Sequence, residues 1–245
     1  MDLRDTVTLI TGGGTGLGRE IALQIGREGG HVAVNYSRSA AEAEQTVADL
    51  RALGVRAEAI QGDVASSPDA TRIVQETVAR LGRLDALVNN AGTTVFVPFQ
   101  DLDGITEEAW DRIMAVNVKG AFLVSRAASK VMQPGGAIVN TTSVAGFQPS
   151  GSSLVYSCSK AALVHLTRGL AVALGPNVRV NSVAPGLLDT RWSQGFPPEN
   201  FERYANRALL KKLPSLADTA AMAVALIKND SVTGQTVIVD GGIVV

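Results

Sequence analysis

Seven short runs rich in β-branched and apolar residues, separated by stretches of helical periodicity, constrain this chain more than any other feature. They are TVTLIT (6–11), HVAVNY (31–36), VRAEAIQ (55–61), LDALVNN (84–90), GAIVNTT (136–142), VRVNSVA (178–184) and QTVIVD (235–240). Strands alternating with helices point to a parallel sheet, because parallel neighbours need a crossover long enough to hold a helix. The spacers carry helix boundaries. In SSPDATRIVQETVARLG, Ser67 is the expected N-cap, Pro68 the first helical residue and Gly82 the stop. With 245 residues, 46% of them apolar, the chain can bury one large core. The expectation is an α/β chain, a single domain over 1–245 with a doubly wound seven-stranded parallel sheet and helices on both faces.

The alternation breaks in SQGFPPENFERYANRALLKKLP (193–214), where Gly, two prolines and several aromatics predict a lid or excursion over a site. The lid is expected to cover about 187–214. A net charge of −1, from 22 basic and 23 acidic residues without long runs of either sign, argues against nucleic acid or an anionic membrane as partner. One cysteine excludes an internal disulfide, and two histidines far apart, His31 and His165, predict chemistry without a metal. No apolar signal core and no 18-residue apolar run is present, so the expected location is the cytoplasm.

Open parallel sheets bind ligands at the carboxyl ends of their strands. After the first strand, TGGGTGLG sets Gly12, Gly16 and Gly18 ahead of an amphipathic helix, a spacing that suits either a pyrophosphate cradle or a tight turn. No Gly-Lys-Ser/Thr follows, which excludes a nucleotide-triphosphate P-loop. The third strand ends in GDVAS, where Asp63 could accept from an adenine amino group with Val64 packed on the ring, or simply precede a helix. The fourth ends in NNAG, with Asn89, Asn90, Ala91 and Gly92, where small residues leave room for a ligand; the fifth leads to Ser143, and the sixth to Pro185 and Gly186. In VYSCSK, Tyr156 and Lys160 stand four apart and share one face of a helix.

Taken in order, TGGGTGLG, NNAG, Asn117 within AVNVKG, Ser143, YSCSK and APG make the chain similar to the short-chain dehydrogenase/reductase family, shorter-chain class, over essentially its whole length. The resemblance implies a Rossmann domain, a homotetramer or homodimer, and hydride transfer between NAD(P) and a carbonyl or alcohol. It implies cofactor contacts from Gly12, Thr15, Gly16, Leu17 and Gly18 at the first turn, and from Tyr36, Ser37 and Arg38 at the second. Further contacts are implied for Asp63, Val64, Asn89, Ala91 and Gly92, and for Pro185, Gly186, Leu188 and Thr190 ahead of the lid. Tyr156 and Lys160 complete that set.

The implied chemistry needs a proton donor at oxygen, and Tyr156 fills that role. A free phenol titrates near pH 10, so a cation one turn away would bring it closer to working pH; reaching about 7 needs roughly 4 kcal/mol. In the family, Lys160 also bonds the nicotinamide ribose, Ser143 holds the substrate oxygen, and Asn117 anchors a water leading protons to Lys160. Read singly, a mid-helix Asn is a locally satisfied residue and a strand-end Ser a cap. The alternatives of a non-catalytic NADP(H) sensor and a sugar-nucleotide epimerase are disfavoured, the first by the retained Asn117, Ser143, Tyr156 and Lys160, the second by the short chain after Pro185.

Val95, Phe96, Trp192 and Phe196, with Ser143 and Tyr156, are the expected substrate contacts, fitting a small or lipophilic carbonyl. The alternative is a 3-oxoacyl-[acyl-carrier-protein] reductase, for which the turns MQPGG and LGPNV lack the basic residues an acidic carrier would meet. For the cofactor, the second strand ends in Asn35, Tyr36, Ser37 and Arg38 with no acid until Glu42. NAD-selective sites place an acid there. NADP(H) is therefore expected over NAD(H), with Arg38 gripping a 2′-phosphate.

Overall fold

All seven runs are strands in the computed structural model, which describes residues 1–245: β1 (Val7–Thr11), β2 (His31–Tyr36), β3 (Ala57–Gln61), β4 (Ala86–Asn89), β5 (Gly136–Thr141), β6 (Val178–Pro185) and β7 (Thr236–Val239). They pair in parallel in the order β3-β2-β1-β4-β5-β6-β7. The order reverses between β1 and β4, and Thr11 stands level with both Asn35 and Asn89. The loops that follow these strands therefore leave one edge together and open a crevice at the switch point.

Alternation along each strand divides the core into two layers. Ile10, Val32, Val34, Ala86, Val88 and Val139 pack with α1 (Gly16–Arg27), α2 (Ala40–Ala52) and α8 (Leu216–Lys228). Leu9, Ala33, Leu87 and Ile138 point the other way, toward α3 (Ser67–Leu81), α5 (Ala121–Ala128) and α6 (Leu154–Leu174). Both faces are covered, which explains why the strands read as nearly continuous apolar runs.

Three local expectations shift. The α3 cap is Ser66, one residue before Ser67, because its hydroxyl reaches the Asp69 N–H three positions on (3.4 Å); Gly82 ends the helix at φ 93° as anticipated. The stretch bearing Asn117 is not one α-helix: α4 (Glu107–Met114) passes through a π-helical turn, Ala115–Gly120, into α5. The expected lid contains a 3₁₀ turn, Arg191–Gly195, and α7 (Glu199–Arg207), which buries none of its residues. Of the apolar residues of α5 and α6, Ala121, Val124, Leu163 and Leu170 are buried within the chain, whereas Phe122 is exposed. No helix is long and apolar enough to cross a membrane.

Candidate active site

A cavity of about 640 Å³ runs along the strand ends from the β2–α2 turn to the lid. Its floor begins at the glycine turn. Gly12 (φ 61°) and Gly16 (φ 52°) take left-handed conformations, and a Cβ on Gly16 would point across the cleft toward Thr190. The helices α1 and α2 open onto the cleft at Gly14–Leu17 and Ser37–Ser39 without a side-chain cap, whereas α3, α4, α6 and α8 each have a Ser or Thr cap. Uncapped N–H groups on a glycine turn fit a diphosphate.

Tyr36, Ser37 and Arg38 line the far end, and Arg38 is exposed and makes no ion pair. Asn35 is spent on the fold, donating to the Ile60 and Gly62 carbonyls (both 3.1 Å). Asp63 and Val64 line the next wall, with Ala91, Gly92, Pro185, Gly186, Leu188 and Thr190 beyond. Both Asp63 oxygens already accept, one from the Ala65 N–H (3.0 Å) and the other from Arg112 (2.8 Å). Burial pushes this carboxyl up, and those two bonds more than offset it, leaving it below its ordinary range. Arg112 comes from α4, nearly fifty residues away, and no spacing rule connects the two.

The reacting end is assembled on α6. Ser153 caps that helix through the Tyr156 N–H (3.3 Å), and the ring of Tyr156 rests on Gly151. Ser143 precedes a 3₁₀ turn, Val144–Gly146, that Ser157 fastens to α6 by donating to the Ala145 carbonyl (2.7 Å). Gly146 makes this approach possible, since a Cβ there would sit 2.9 Å from the Lys160 backbone. Lys160 is buried and donates to the Thr141 carbonyl (2.8 Å), its ammonium 5.6 Å from the centre of the Tyr156 ring. Burial pushes the Tyr156 phenol up to about 12, with the Ser143 hydroxyl pulling it down, and brings the Lys160 ammonium down to about 8. In this geometry the cation is held by the Thr141 carbonyl, and it is burial, opposed by Ser143 and not by Lys160, that sets the direction of the phenol.

Asn117 lies behind this group rather than in the cavity wall. It donates to the Thr93 carbonyl and to Ser159 (both 3.0 Å), and accepts from the Thr93 N–H (2.8 Å). Ser159 in turn donates to the Tyr156 carbonyl (2.7 Å), so one buried amide ties the β4 loop to α6.

Four expected contacts do not reach the cavity. Asn89 points to the opposite side and bonds Ser125 and Asn140 (both 2.9 Å), in the same strand parity as Leu87; its neighbour Asn90 faces the cleft and donates to the Thr11 and Gly12 carbonyls. Gly18 sits beneath the turn, where a Cβ would come within 2.5 Å of the Gly12 carbonyl. Val95 and Phe96 stand outside the lining; Phe96 backs Phe196 edge-on at 5.0 Å and packs flat on Gly195. Trp192 and Phe196 do line the cleft, joined by Tyr204 from α7, and Trp192 lies 6.0 Å from the Tyr156 ring.

The short chain dehydrogenase family model matches residues 6–200. The chain belongs to that family. The dehydrogenase is 40% identical over 241 residues (96% of this chain, 95% of the relative) to a protein named "Granaticin polyketide synthase putative ketoacyl reductase 2" from Streptomyces violaceoruber. It is 36% identical to the 3-oxoacyl-[acyl-carrier-protein] reductase FabG of Staphylococcus aureus, with 96% of each chain covered. A short-chain dehydrogenase from Burkholderia cenocepacia, solved in complex with NADP, matches with a TM-score of 0.93 at 34% identity over 99% of both chains. The dehydrogenase is thus an oxidoreductase of a family that acts on CH–OH and ketone groups with NAD(P).

Proposed function

We propose that the dehydrogenase interconverts an uncharged, largely apolar carbonyl and its secondary alcohol with NADP(H). The observation that carries this reading is how charge is distributed along the cleft. Apart from Lys160, its charged lining residues are Arg38, Asp63, Arg112 and Arg191, and all belong to the nucleotide end. Around Tyr156 the walls are Ser143, Ser150, Ser152, Trp192, Phe196 and Tyr204, none of them charged.

The glycine turn and the start of α1 would hold the diphosphate, Arg38 with Ser37 the 2′-phosphate, and Lys160 the nicotinamide ribose. When bound, the dinucleotide supplies or accepts the hydride at carbon. Ser143 donates to the carbonyl oxygen while Tyr156 gives that oxygen its proton, and takes it back in the oxidative direction. Lys160 stabilises the phenolate left behind. Asn117 fixes the relative position of the β4 loop and α6. Residues 187–214 act as the substrate lid, and exposed Phe122 leaves an apolar contact for assembly as a homotetramer or homodimer.

A second reading, reduction of a 3-oxoacyl group on a carrier protein, is favoured by the likeness to FabG. Steady-state kinetics with NADPH and NADH decide the matter, using neutral ketones and one 3-oxoacyl group carried either on a small thiol or on an acidic carrier protein. The expected result is NADPH preference, lost at least about tenfold in Arg38→Asp, and no advantage for the carrier. A large carrier preference that fades with salt would establish the second reading instead.

A further inference from the structure

A guanidinium from the roof of the cleft ends on its far wall. Arg191, at the start of the 3₁₀ turn after β6, donates to Glu42 Oε1 (2.6 Å) and to Ser39 Oγ (3.2 Å). Ser39 is the residue before α2, and Glu42 stands in the first turn of that helix. Glu42 is also the first acid after β2. Its own backbone N–H and Arg191 hold its carboxyl below the ordinary range, so it is ionised throughout the neutral region.

An acid beside the end of the second strand is what an NAD-selective site uses to repel a 2′-phosphate. This chain has no acid at the strand end itself; its nearest one, Glu42, stands in the first turn of α2 behind the lining residue Ser39, and Arg191 covers it from the opposite side of the cleft. We propose that Arg191 is a cofactor-specificity residue that acts by masking Glu42, so that Arg38 meets the 2′-phosphate unopposed. The inference rests on the reading that the end of β2 takes that phosphate. It also joins the substrate lid to nucleotide recognition, because the masking residue belongs to the segment that roofs the reacting end.

The ion pair is a surface one, with side-chain exposures of 62% for Arg191 and 39% for Glu42. Such pairs contribute little to folding, so variants at either position should fold normally and report on binding alone.

Calorimetric titration of the full chain with 2′,5′-ADP and with 5′-AMP tests the idea without turnover. Wild type should bind 2′,5′-ADP more tightly, and Arg191→Ala should reduce that preference by about tenfold. Adding Glu42→Gln to Arg191→Ala should restore it to within about twofold, since the exposed carboxylate is then gone. An equal loss in the single and double variants would mean that Arg191 grips the phosphate directly, overturning the masking role. An unchanged preference in Arg191→Ala would also overturn it. A wild type indifferent to the 2′-phosphate would instead remove the NADP(H) reading on which the inference stands.

Discussion

The floor and the roof of the cleft are built on different principles. The floor places Ser143, Tyr156 and Lys160 on elements locked by buried and half-buried hydrogen bonds, with Asn117, Ser159, Thr141 and Ser157 each engaged at 3.0 Å or less. The roof is a 3₁₀ turn, fixed at its start by buried Ser193 against the Thr190 backbone, and a helix, α7, with no buried residue; beyond that cap it is joined to the cleft by an edge-on aromatic pair and a surface ion pair. A floor of that kind fixes geometry to fractions of an ångström, as proton transfer requires. A roof of that kind can change its side chains at small energetic cost. On the function proposed above, the comparison separates what the protein does from what it does it to: the reaction falls to the floor, and the choice of substrate to the roof.

The largest effect expected from this division is Tyr156→Phe, which should lower kcat by about 100-fold or more while leaving NADPH affinity nearly unchanged in a fluorescence titration. A variant that retained a tenth of the wild-type rate would take proton transfer away from the floor. Next in size is Asn117→Ala. It takes the side-chain partner from the half-buried Thr93 N–H and carbonyl and one donor from the buried Ser159 hydroxyl, which keeps its bond to the Tyr156 carbonyl, and should cost about 1 to 3 kcal/mol in chemical denaturation. Phe196→Ala, on the roof, should cost under about 1 kcal/mol by the same measurement.

Trp192→Ala sharpens the comparison from the other side. Removing a ring that lies 6.0 Å from Tyr156 should raise KM for an apolar ketone by up to about tenfold and change kcat much less. If kcat fell and KM held, Trp192 would be part of the reaction geometry and the division would fail. An effect as small as that of Phe196→Ala is expected on pH-dependent stability. Lys160 titrates at about 8 in the folded chain against an ordinary 10.5, so between those values the unfolded state binds more protons and stability rises with pH. Wild type should gain up to about 1 kcal/mol between pH 8 and 9 relative to Lys160→Met, followed by denaturation at each pH. Tyr156 acts in the opposite sense only above its ordinary value of 10, outside this window.

The floor was far more legible in the sequence than the roof. Helical spacing puts Tyr156 and Lys160 on one face, the family resemblance assigns them their roles, and a turn that demands positive φ singles out Gly12 and Gly16. For Asn89 a signal is present that the motif hides: strand alternation puts it with Leu87, facing α5, and leaves Asn90 to the cleft. For Gly18 there is none, because the glycine motif does not distinguish close packing from contact with a ligand. Arg112 and Arg191 left no trace of their roles, since each meets its partner across roughly 50 to 150 residues of chain and only the folded sheet brings them together. The roof suffers most from this, because aromatic composition announces a pocket without saying which ring, Phe96 or Phe196, faces inward.

The π-helical turn at Ala115–Gly120 sets a limit of another kind. Such a turn holds one residue more than an α-helical one. Deleting a single residue there would turn it into an ordinary α turn, with α4 and α5 on either side still facing as they do. Leu123, Val124 and Ala127 would keep their places in the core, and the change would fall on the turn itself, where Asn117 meets Thr93 and Ser159. The extra residue thus serves the active site and not the packing, and the segment could be shortened by one without unfolding and still lose the tie between the β4 loop and α6.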